Sequence, residues 1–280
     1  MSTRIIKKHF LLFILMLITV FILKATEIYA QEPNANWSIV SKGKARSISS
    51  IFFVDANLGY SCGENGVILR TRDAGKTWQQ LVSGTNAILS NIYFVDKYVG
   101  YCVGFDEATI LKTIDGGDTW NNINSCTIQD LLQVQCWGRD TLFVVGGNAF
   151  GEILQSNDGG QTWKNLYPKN GRNLLFTCIK MLKNGKGIAG AGVATSELET
   201  NISVTKDFGK TWTDLLAPFK YEIHDCTALF DSVFVITGMF LNRYGVDDTC
   251  AIMRSIDGGY TWKTVFKIKK ALLEMFFLLM

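Results

Sequence analysis

Three features of the sequence predict an all-β fold of the β-propeller class. An octet with the pattern [ST]-x-D-x-G-x-T-W recurs five times, at 71–78, 113–120, 156–163, 205–212 and 255–262. The octets start 42, 43, 49 and 50 residues apart, and a period of about 40–50 residues is typical of propeller blades. Between the octets lie short apolar segments with turn residues and no helical period. Each repeat therefore predicts one four-stranded blade.

Each repeat has four segments with the composition of β-strands. In the first repeat an apolar strand, Ile48–Val54, is followed by the Gly-flanked Gly59–Cys62. A third strand, Val67–Arg70, runs directly into the octet, and the fourth is expected to open at Thr77. Apolar and β-branched residues between turn residues favour strands over helices.

The octet is interpreted as the hairpin turn between the third and fourth strands. Its Asp accepts hydrogen bonds from turn N–H groups, and its second Gly supplies a positive φ. Its Trp covers the turn, so these residues are expected to be structural and not catalytic. They are Asp73, Gly75, Trp78, Asp115, Gly117, Trp120, Asp158, Gly160, Trp163, Asp207, Gly209, Trp212, Asp257, Gly259 and Trp262.

The first 30 residues predict a secretory signal peptide. A basic segment with Arg4, Lys7 and Lys8 precedes a largely apolar run, Phe10–Leu23. A helix of that length rises about 21 Å, short of the roughly 30 Å hydrocarbon core. Cleavage is expected after Ala30, with an uncleaved anchor as the alternative. We therefore expect a secreted, periplasmic or cell-surface protein, with no transmembrane span after cleavage.

Composition excludes several classes of protein. The chain has 280 residues, 48% of them hydrophobic and 19% charged, which is not the composition of a disordered chain. The leader holds four of the 28 basic and one of the 25 acidic residues, so the remainder carries 24 of each. A formally neutral domain is a poor candidate for binding nucleic acid. No cofactor motif or metal-ligand spacing is present, so neither a cofactor nor a metal is expected.

The predicted domain is a propeller over 31–280. Its repeats span about 37–83, 84–125, 126–168, 169–217 and 218–266, and 267–280 is the start of a further blade. The segment 271–278 aligns with the opening strand 47–54. We therefore expect five complete repeats plus the first strand of a sixth, as in a truncated six- or seven-bladed ring. The alternatives are an apolar tail or an exposed edge at 271–278 that pairs with another chain.

The octets resemble the Asp-box, or BNR-type, repeat of sialidases and other propellers. The fuller pattern of the first repeat, Gly59-Tyr60 with Gly63–Leu69 and the octet 71–78, is most similar to the photosystem II stability/assembly factor-like propellers. The resemblance covers about residues 37–278. It implies a non-enzymatic scaffold that holds a membrane-protein precursor with the help of an arginine patch. The seven arginines after the leader are scattered over different repeats, apart from Arg70 and Arg72.

Functional residues are expected on the face opposite the octet turns, where two loops between second and third strands are longer than the rest. They span 190–201 and 238–249, and extra loop length on one face often carries function. The alternative is that these loops are solvated hairpin tips. The candidate binding residues, for a protein or glycan partner outside the cytoplasm, are Glu197, Glu199, Phe240, Arg243, Tyr244, Asp247 and Asp248.

A glycoside hydrolase of sialidase or glucanase type is the competing hypothesis. It needs two carboxylates about 5–10 Å apart, and the same face offers Glu64, Asp106, Glu107, Glu152, Glu197, Glu199 and Asp247. No Arg-Ile-Pro motif is present. His224, the sole histidine after the leader, is either a catalytic base or a residue that forms hydrogen bonds between blades.

The seven cysteines leave two interpretations open. Export permits disulfides, and Cys126–Cys136 or Cys226–Cys250 are conceivable pairs. The other interpretation is that the cysteines are small buried strand residues.

Overall fold

The computed structural model describes residues 47–106, 108–148, 150–167, 174–193, 201–216, 221–240 and 249–269. All of them lie in one compact unit, Gly43–Met280. The predicted leader at 1–30, its cleavage point and the sixth-unit strand at 271–278 lie outside these residues. Within the described ranges, no helix has the length and apolar character needed to cross a membrane.

The described chain is all-β, as the sequence predicted, with five four-stranded antiparallel sheets. Each sheet follows chain order, so each repeat forms one blade of a propeller. The only helical element in the described residues is a 3₁₀ turn, Glu64–Gly66.

The strands of blades 1, 2 and 3 are β1 (Ile48–Phe53), β2 (Gly59–Gly63), β3 (Ile68–Thr71), β4 (Gln79–Leu81), β5 (Leu89–Phe94), β6 (Gly100–Gly104), β7 (Ile110–Thr113), β8 (Asn121–Asn122), β9 (Leu131–Trp137), β10 (Thr141–Gly146), β11 (Glu152–Ser156) and β12 (Lys164–Asn165). Those of blades 4 and 5 are β13 (Leu174–Met181), β14 (Gly187–Val193), β15 (Asn201–Thr205), β16 (Thr213–Leu216), β17 (Tyr221–Phe230), β18 (Val233–Phe240), β19 (Thr249–Ser255) and β20 (Lys263–Lys269).

The fourth strands begin later than the sequence suggested. In blade 1 the strand starts at Gln79, one residue after the octet Trp and not at Thr77. The backbone N–H of Thr77 donates to the Asp73 carboxylate at 2.8 Å. Thr77 therefore still belongs to the turn, and its N–H is not available to the sheet.

The hydrophobic core is divided among the spaces between successive blades. Four clusters of buried side chains each combine residues of two neighbouring blades. Between blades 1 and 2, the Tyr60 ring stacks on Phe94 with 3.7 Å between centroids and 12° between planes. Six of the seven cysteines are buried, and Cys126 is exposed. Cys136 and Cys226 are buried thiols, so neither of the two conceivable disulfides is formed.

Amide side chains connect the first strands of neighbouring blades. Asn91 of β5 accepts from Val134 N–H at 3.1 Å and donates to the Ser50 hydroxyl at 3.2 Å. Gln135 of β9 accepts from Met181 N–H at 2.7 Å and donates to the Met181 carbonyl at 3.0 Å. Each amide thus forms hydrogen bonds with backbone groups that the strand pairing within the neighbouring blade does not use. We call this series the inner amide ladder.

Candidate functional site

The propeller has two faces that differ in their loops. The loops between strands 1 and 2 and the octet turns between strands 3 and 4 lie at one end of each blade, because successive strands are antiparallel. We call this end the lower face. The loops between strands 2 and 3 and the connections between blades lie at the other end, the upper face.

Octet carboxylates on the lower face are engaged within their own turns. Asp115 accepts from the Thr113 hydroxyl at 2.8 Å, from Thr119 N–H at 2.9 Å and from the Thr119 hydroxyl at 2.6 Å. The same contacts recur around Asp73, Asp158, Asp207 and Asp257. A carboxylate held by this many donors stabilises a turn and is poorly placed for acid–base chemistry.

These hydrogen bonds also lower the carboxyl pKa values. The hydroxyl and backbone N–H of the octet Thr are the main causes at Asp73, Asp115 and Asp158, where the pKa falls to about 2. Donors that bind the ionised form favour it over the protonated form. These carboxyl groups are therefore ionised at any physiological pH.

The octet glycines and tryptophans complete the turns. Positive φ values occur at Gly75, Gly117, Gly160, Gly209 and Gly259. A Cβ at Gly117 would lie 3.0 Å from Leu81 Cδ1 of the preceding blade. Trp120 is buried in the cluster between blades 1 and 2, and Trp163, Trp212 and Trp262 pack at the margins of later clusters. In blade 1, Trp78 makes an edge contact with Phe53 at 6.2 Å.

The lower face also holds neighbouring blades together through polar contacts. The Tyr60 hydroxyl and Arg70 Nη1 of blade 1 both donate to the Gly116 carbonyl of blade 2, each at 2.9 Å. Arg70 also forms an ion pair with Asp118 at 2.6 Å. Arg139 forms an ion pair with Asp96 at 2.7 Å. At least two of the arginines that could have formed a binding patch are thus used in structural ion pairs.

An open polar groove lies on the upper face of blade 2. It has a volume of about 660 Å³ and is lined by Thr85, Asn86, Ala87, Asp106, Thr109 and Asn122. These residues come from three places: the connection from blade 1, the loop after β6, and β8. The side chains of Asn86, Asp106 and Asn122 are exposed.

Local hydrogen bonds fix both walls of this groove. On one wall Gly66 N–H donates to the Ala87 carbonyl at 2.8 Å, and Ala87 N–H donates to the Thr85 hydroxyl at 3.0 Å. Gly66 must be glycine, because a Cβ there would collide with the Thr85 carbonyl oxygen. On the other wall the Thr109 hydroxyl donates to the Asp106 carbonyl at 2.9 Å. The amide, hydroxyl and carboxylate ends that remain open can exchange hydrogen bonds with a ligand.

The predicted binding residues fall largely outside the described part of the chain. Glu197, Glu199, Arg243, Tyr244, Asp247 and Asp248 are not among the described residues, and Phe240 is described only as the last residue of β18. The ends of the strands that flank these two loops lie at the upper face, because the loops connect second and third strands. Of the other candidate carboxylates, Asp106 is exposed and Glu152 is 4% exposed at the start of β11. His224 is exposed on β17.

The sequence did not predict Asn86 and Asn122 as site residues, because they are uncharged, are not aromatic and lie outside the two long loops. The available pattern was a Ser-x-Thr element that opens two successive connections, at Ser83-Gly84-Thr85 and Ser125-Cys126-Thr127. In both, the Ser hydroxyl donates to the Thr carbonyl, at 3.2 and 2.8 Å. Within the described residues, no cluster of His, Cys, Asp and Glu could hold a metal ion.

The blade architecture and the division between a turn face and a loop face define the class: a repeat β-propeller with Asp-box blades. The chain belongs to the family described as Photosynthesis system II assembly factor YCF48, whose model matches residues 77–217. No curated protein is similar enough in sequence to count as a match.

Solved propellers share the fold at low sequence identity. A YCF48 bound to a D1 peptide is 18% identical, with a TM-score of 0.54 over 78% of this chain and 80% of that one. YCF48 from Cyanidioschyzon merolae is 19% identical, with a TM-score of 0.54 over 80% and 87% of the two chains. The GH74 enzyme of Niastella koreensis is 15% identical, with a TM-score of 0.62 over 78% of this chain but only 38% of that one. These likenesses establish the propeller fold.

Proposed function

We propose that this propeller is a non-catalytic scaffold that binds an extended segment of a protein partner on its upper face. The observation that carries the proposal is the open groove of blade 2, whose lining residues offer amide, hydroxyl and carboxylate groups at its rim. Amide side chains can donate and accept at once, as backbone N–H and C=O groups require. Membership of an assembly-factor family supports a protein partner.

A peptide is favoured over a glycan for one further reason. A YCF48 of the same fold has been solved with a peptide of D1 bound. The groove residues of this chain are polar apart from Ala87, and none of them carries an aromatic ring on which a sugar could stack. Sugar-binding sites usually combine hydrogen bonds with such an apolar platform.

A peptide-display selection tests this proposal directly. The full chain is immobilised, peptides of random sequence are selected, and the affinity of the enriched peptides is measured by fluorescence polarisation. Asn86→Ala and Asn122→Ala should each weaken binding about 10-fold, since each removes one ligand hydrogen bond of about 1.4 kcal/mol. Asn57→Ala, an exposed amide on the lower face, is the matched control and should bind as the wild type. Loss of binding in the control alone, or no enrichment at all, contradicts the proposal.

The hydrolase alternative rests on the fold shared with GH74 enzymes. Its test is turnover of sialosides and β-glucans by the purified chain. Turnover that is abolished by Glu197→Gln or Asp247→Asn would replace the scaffold proposal with a glycosidase. Catalysis of this kind needs a carboxylate pair, so activity that survives both substitutions would direct the search to Glu64, Asp106, Glu107, Glu152 and Glu199.

The proposed place of action is outside the cytoplasm. The basic and apolar segments before Ala30 support it. Amino-terminal sequencing of the protein recovered from its host should give Gln31 as the first residue. A chain that retains Met1 or Ser2 would contradict cleavage and favour an uncleaved anchor.

A further inference from the structure

Two of the interfaces between neighbouring blades each bring a pair of cysteines together. Side chains of successive strand residues point to opposite faces of a blade. Tyr60 of β2 stacks on Phe94 of blade 2, so Cys62, two residues later, faces blade 2 as well. The Cys62 thiol donates to the Leu89 carbonyl of blade 2 at 3.8 Å. Cys62 therefore reaches across the space between blades 1 and 2.

Cys102 of β6 meets Cys62 from the other side of this space. Cys102 packs with Cys62 in the cluster between blades 1 and 2, whereas Tyr101 and Val103, its neighbours in β6, lie in the next cluster. Both cysteines are buried thiols, and their side chains are hydrogen-bonding partners. The two sulfur atoms are thus neighbours across the interface.

Cys178 of β13 and Cys226 of β17 form a second pair, between blades 4 and 5. Cys178 pairs with Gly190 of β14, and a Cβ at Gly190 would lie 2.9 Å from Cys178 Sγ and 2.5 Å from Ile223 Cγ2. The missing side chain of Gly190 therefore leaves room for the sulfur against blade 5. A register shift after Ile223 puts Ile223 and Cys226, three residues apart, on the same buried face. The side chains of Cys178 and Cys226 are hydrogen-bonding partners.

We propose that oxidation converts these pairs into two disulfides, Cys62–Cys102 and Cys178–Cys226, which join blade 1 to blade 2 and blade 4 to blade 5. The oxidant is a disulfide, either of a small thiol or of an oxidoreductase. One cysteine thiolate attacks this disulfide and forms a mixed disulfide, and the second cysteine thiolate then attacks the sulfur of the first. Two cysteine thiols are thereby oxidised, and the oxidant is reduced to two thiols that take up the two protons.

Burial requires that these bonds form before the blades close. In the folded chain all four cysteines are buried, out of reach of an oxidant. Burial also raises the pKa of the Cys102 and Cys226 thiols, because a thiolate is poorly solvated there. The thiolate is the attacking form, so the pairs react while the chain folds. After closure the same burial protects the bonds from reductants.

The crosslinks are independent of the ligand of the upper face but rest on the proposed place of action. Disulfides persist in oxidising compartments and are rare in the cytosol. The paired cysteines are 40 and 48 residues apart in the sequence. Closing loops of this length restricts the unfolded chain and so stabilises the folded one.

Refolding of the reduced full chain in a glutathione redox buffer tests the pairing. Remaining thiols are blocked with N-ethylmaleimide, and the digested chain is mapped by mass spectrometry. Linked peptides should join Cys62 to Cys102 and Cys178 to Cys226, and no other pair of the seven cysteines should be linked. The proposal is overturned if no link forms or if other pairs predominate. A map with only one of the two links overturns the assignment of the other.

Two alanine variants of buried cysteines give a matched comparison. Cys102→Ala should lose the first link and keep the second, whereas Cys136→Ala should keep both. Cys136 packs in the cluster between blades 2 and 3, where the described residues include no second cysteine. The oxidised wild type should unfold at a higher urea concentration than the reduced wild type, and Cys102→Ala should show a smaller shift. An identical midpoint for the two wild-type forms would contradict the stabilising role of the crosslinks.

Protein recovered from its host separates the pairing from the place of action. Thiols are blocked with N-ethylmaleimide during lysis, before the peptides are mapped. Both links in the recovered protein would support the pairing and the oxidising location together. Links that form on refolding but are absent from the recovered protein would refute that location, while the pairing of the cysteines would stand.

Discussion

The lower and upper faces of this propeller are built from the same strands but follow different rules. On the lower face each octet repeats one hydrogen-bonding pattern around its Asp, and the turns contact the neighbouring blade. On the upper face the connections and loops differ from blade to blade in length and composition. The comparison shows that the repeated sequence serves the contacts that hold the blades together. Ligand recognition is therefore expected on the upper face, where the loops differ from blade to blade.

Acid should disrupt the lower face and with it the whole fold. The folded-state pKa of Asp73, Asp115, Asp158 and Asp257 is lowered to about 2, below the ordinary value of about 3.9. Between these values the unfolded chain binds more protons, so stability rises with pH across this window and is lost as pH falls. We expect cooperative unfolding between about pH 4 and pH 2, which can be measured by the change in tryptophan fluorescence emission. A chain equally stable at pH 4 and pH 2 would contradict this role for the octets.

Two glycine substitutions compare the faces at the level of packing. Gly117 and Gly84 both have positive φ, +88° and +78°, but only Gly117 has neighbours where a Cβ would lie. Gly84→Ala should cost about 1 kcal/mol from the backbone conformation alone. Gly117→Ala adds overpacking against Leu81 and should cost about 3 kcal/mol in all. Urea unfolding measures both free energies, and equal losses would show that the lower face is not tightly packed.

Two polar substitutions compare the two faces by their effect on stability, and here the expected difference is the smallest. Asp115→Ala removes three hydrogen bonds to a charged acceptor and should cost about 2 kcal/mol of stability. Asn86→Ala removes an exposed side chain and should change stability by less than about 0.5 kcal/mol. Thermal melts measure the two effects. A reversal, with Asn86 the costlier loss, would mean that the groove is part of the framework and not a surface kept for ligands.

The fold could be predicted from the sequence because each blade carries two independent sequence signals. The octet marks the turn, and the apolar segments before it, such as those around Ile51 and Tyr60, mark the strands. Burial follows the period of two that a strand imposes at Ile92 and Phe94, and the register shift between Leu89 and Asn91 moves the preceding buried residue to Leu89. The exact start of β4 was not accessible, because it depends on whether Thr77 N–H bonds to the octet Asp or to the neighbouring strand.

The inner amide ladder was beyond the reach of sequence reasoning. The amide residues Asn91, Gln133 and Gln135 lie in apolar strands, where the sequence pattern predicts that polar side chains face solvent. Their partners, Val134, Ile179 and Met181, lie in the next repeat. A single sequence gives the spacing of repeats but not which side chain reaches across them. The same limit applies to the groove of blade 2, whose Asn86 and Asn122 are neither charged nor in a catalytic motif.

The hydrogen bonds of the Gln133 side chain affect how cooperatively this repeat protein unfolds. Its carbonyl oxygen accepts from Ile179 N–H of blade 4 at 2.6 Å, while its amide nitrogen donates to Asp225 of blade 5 at 3.4 Å. In a linear solenoid each repeat senses only its immediate neighbours, so stability is a sum of single-repeat and nearest-neighbour terms. Here one side chain in blade 3 contacts two successors, so blades 3 and 5 are coupled directly as well as through blade 4. Hydrogen exchange of these three blades should then follow a single opening event and not a stepwise one from the end.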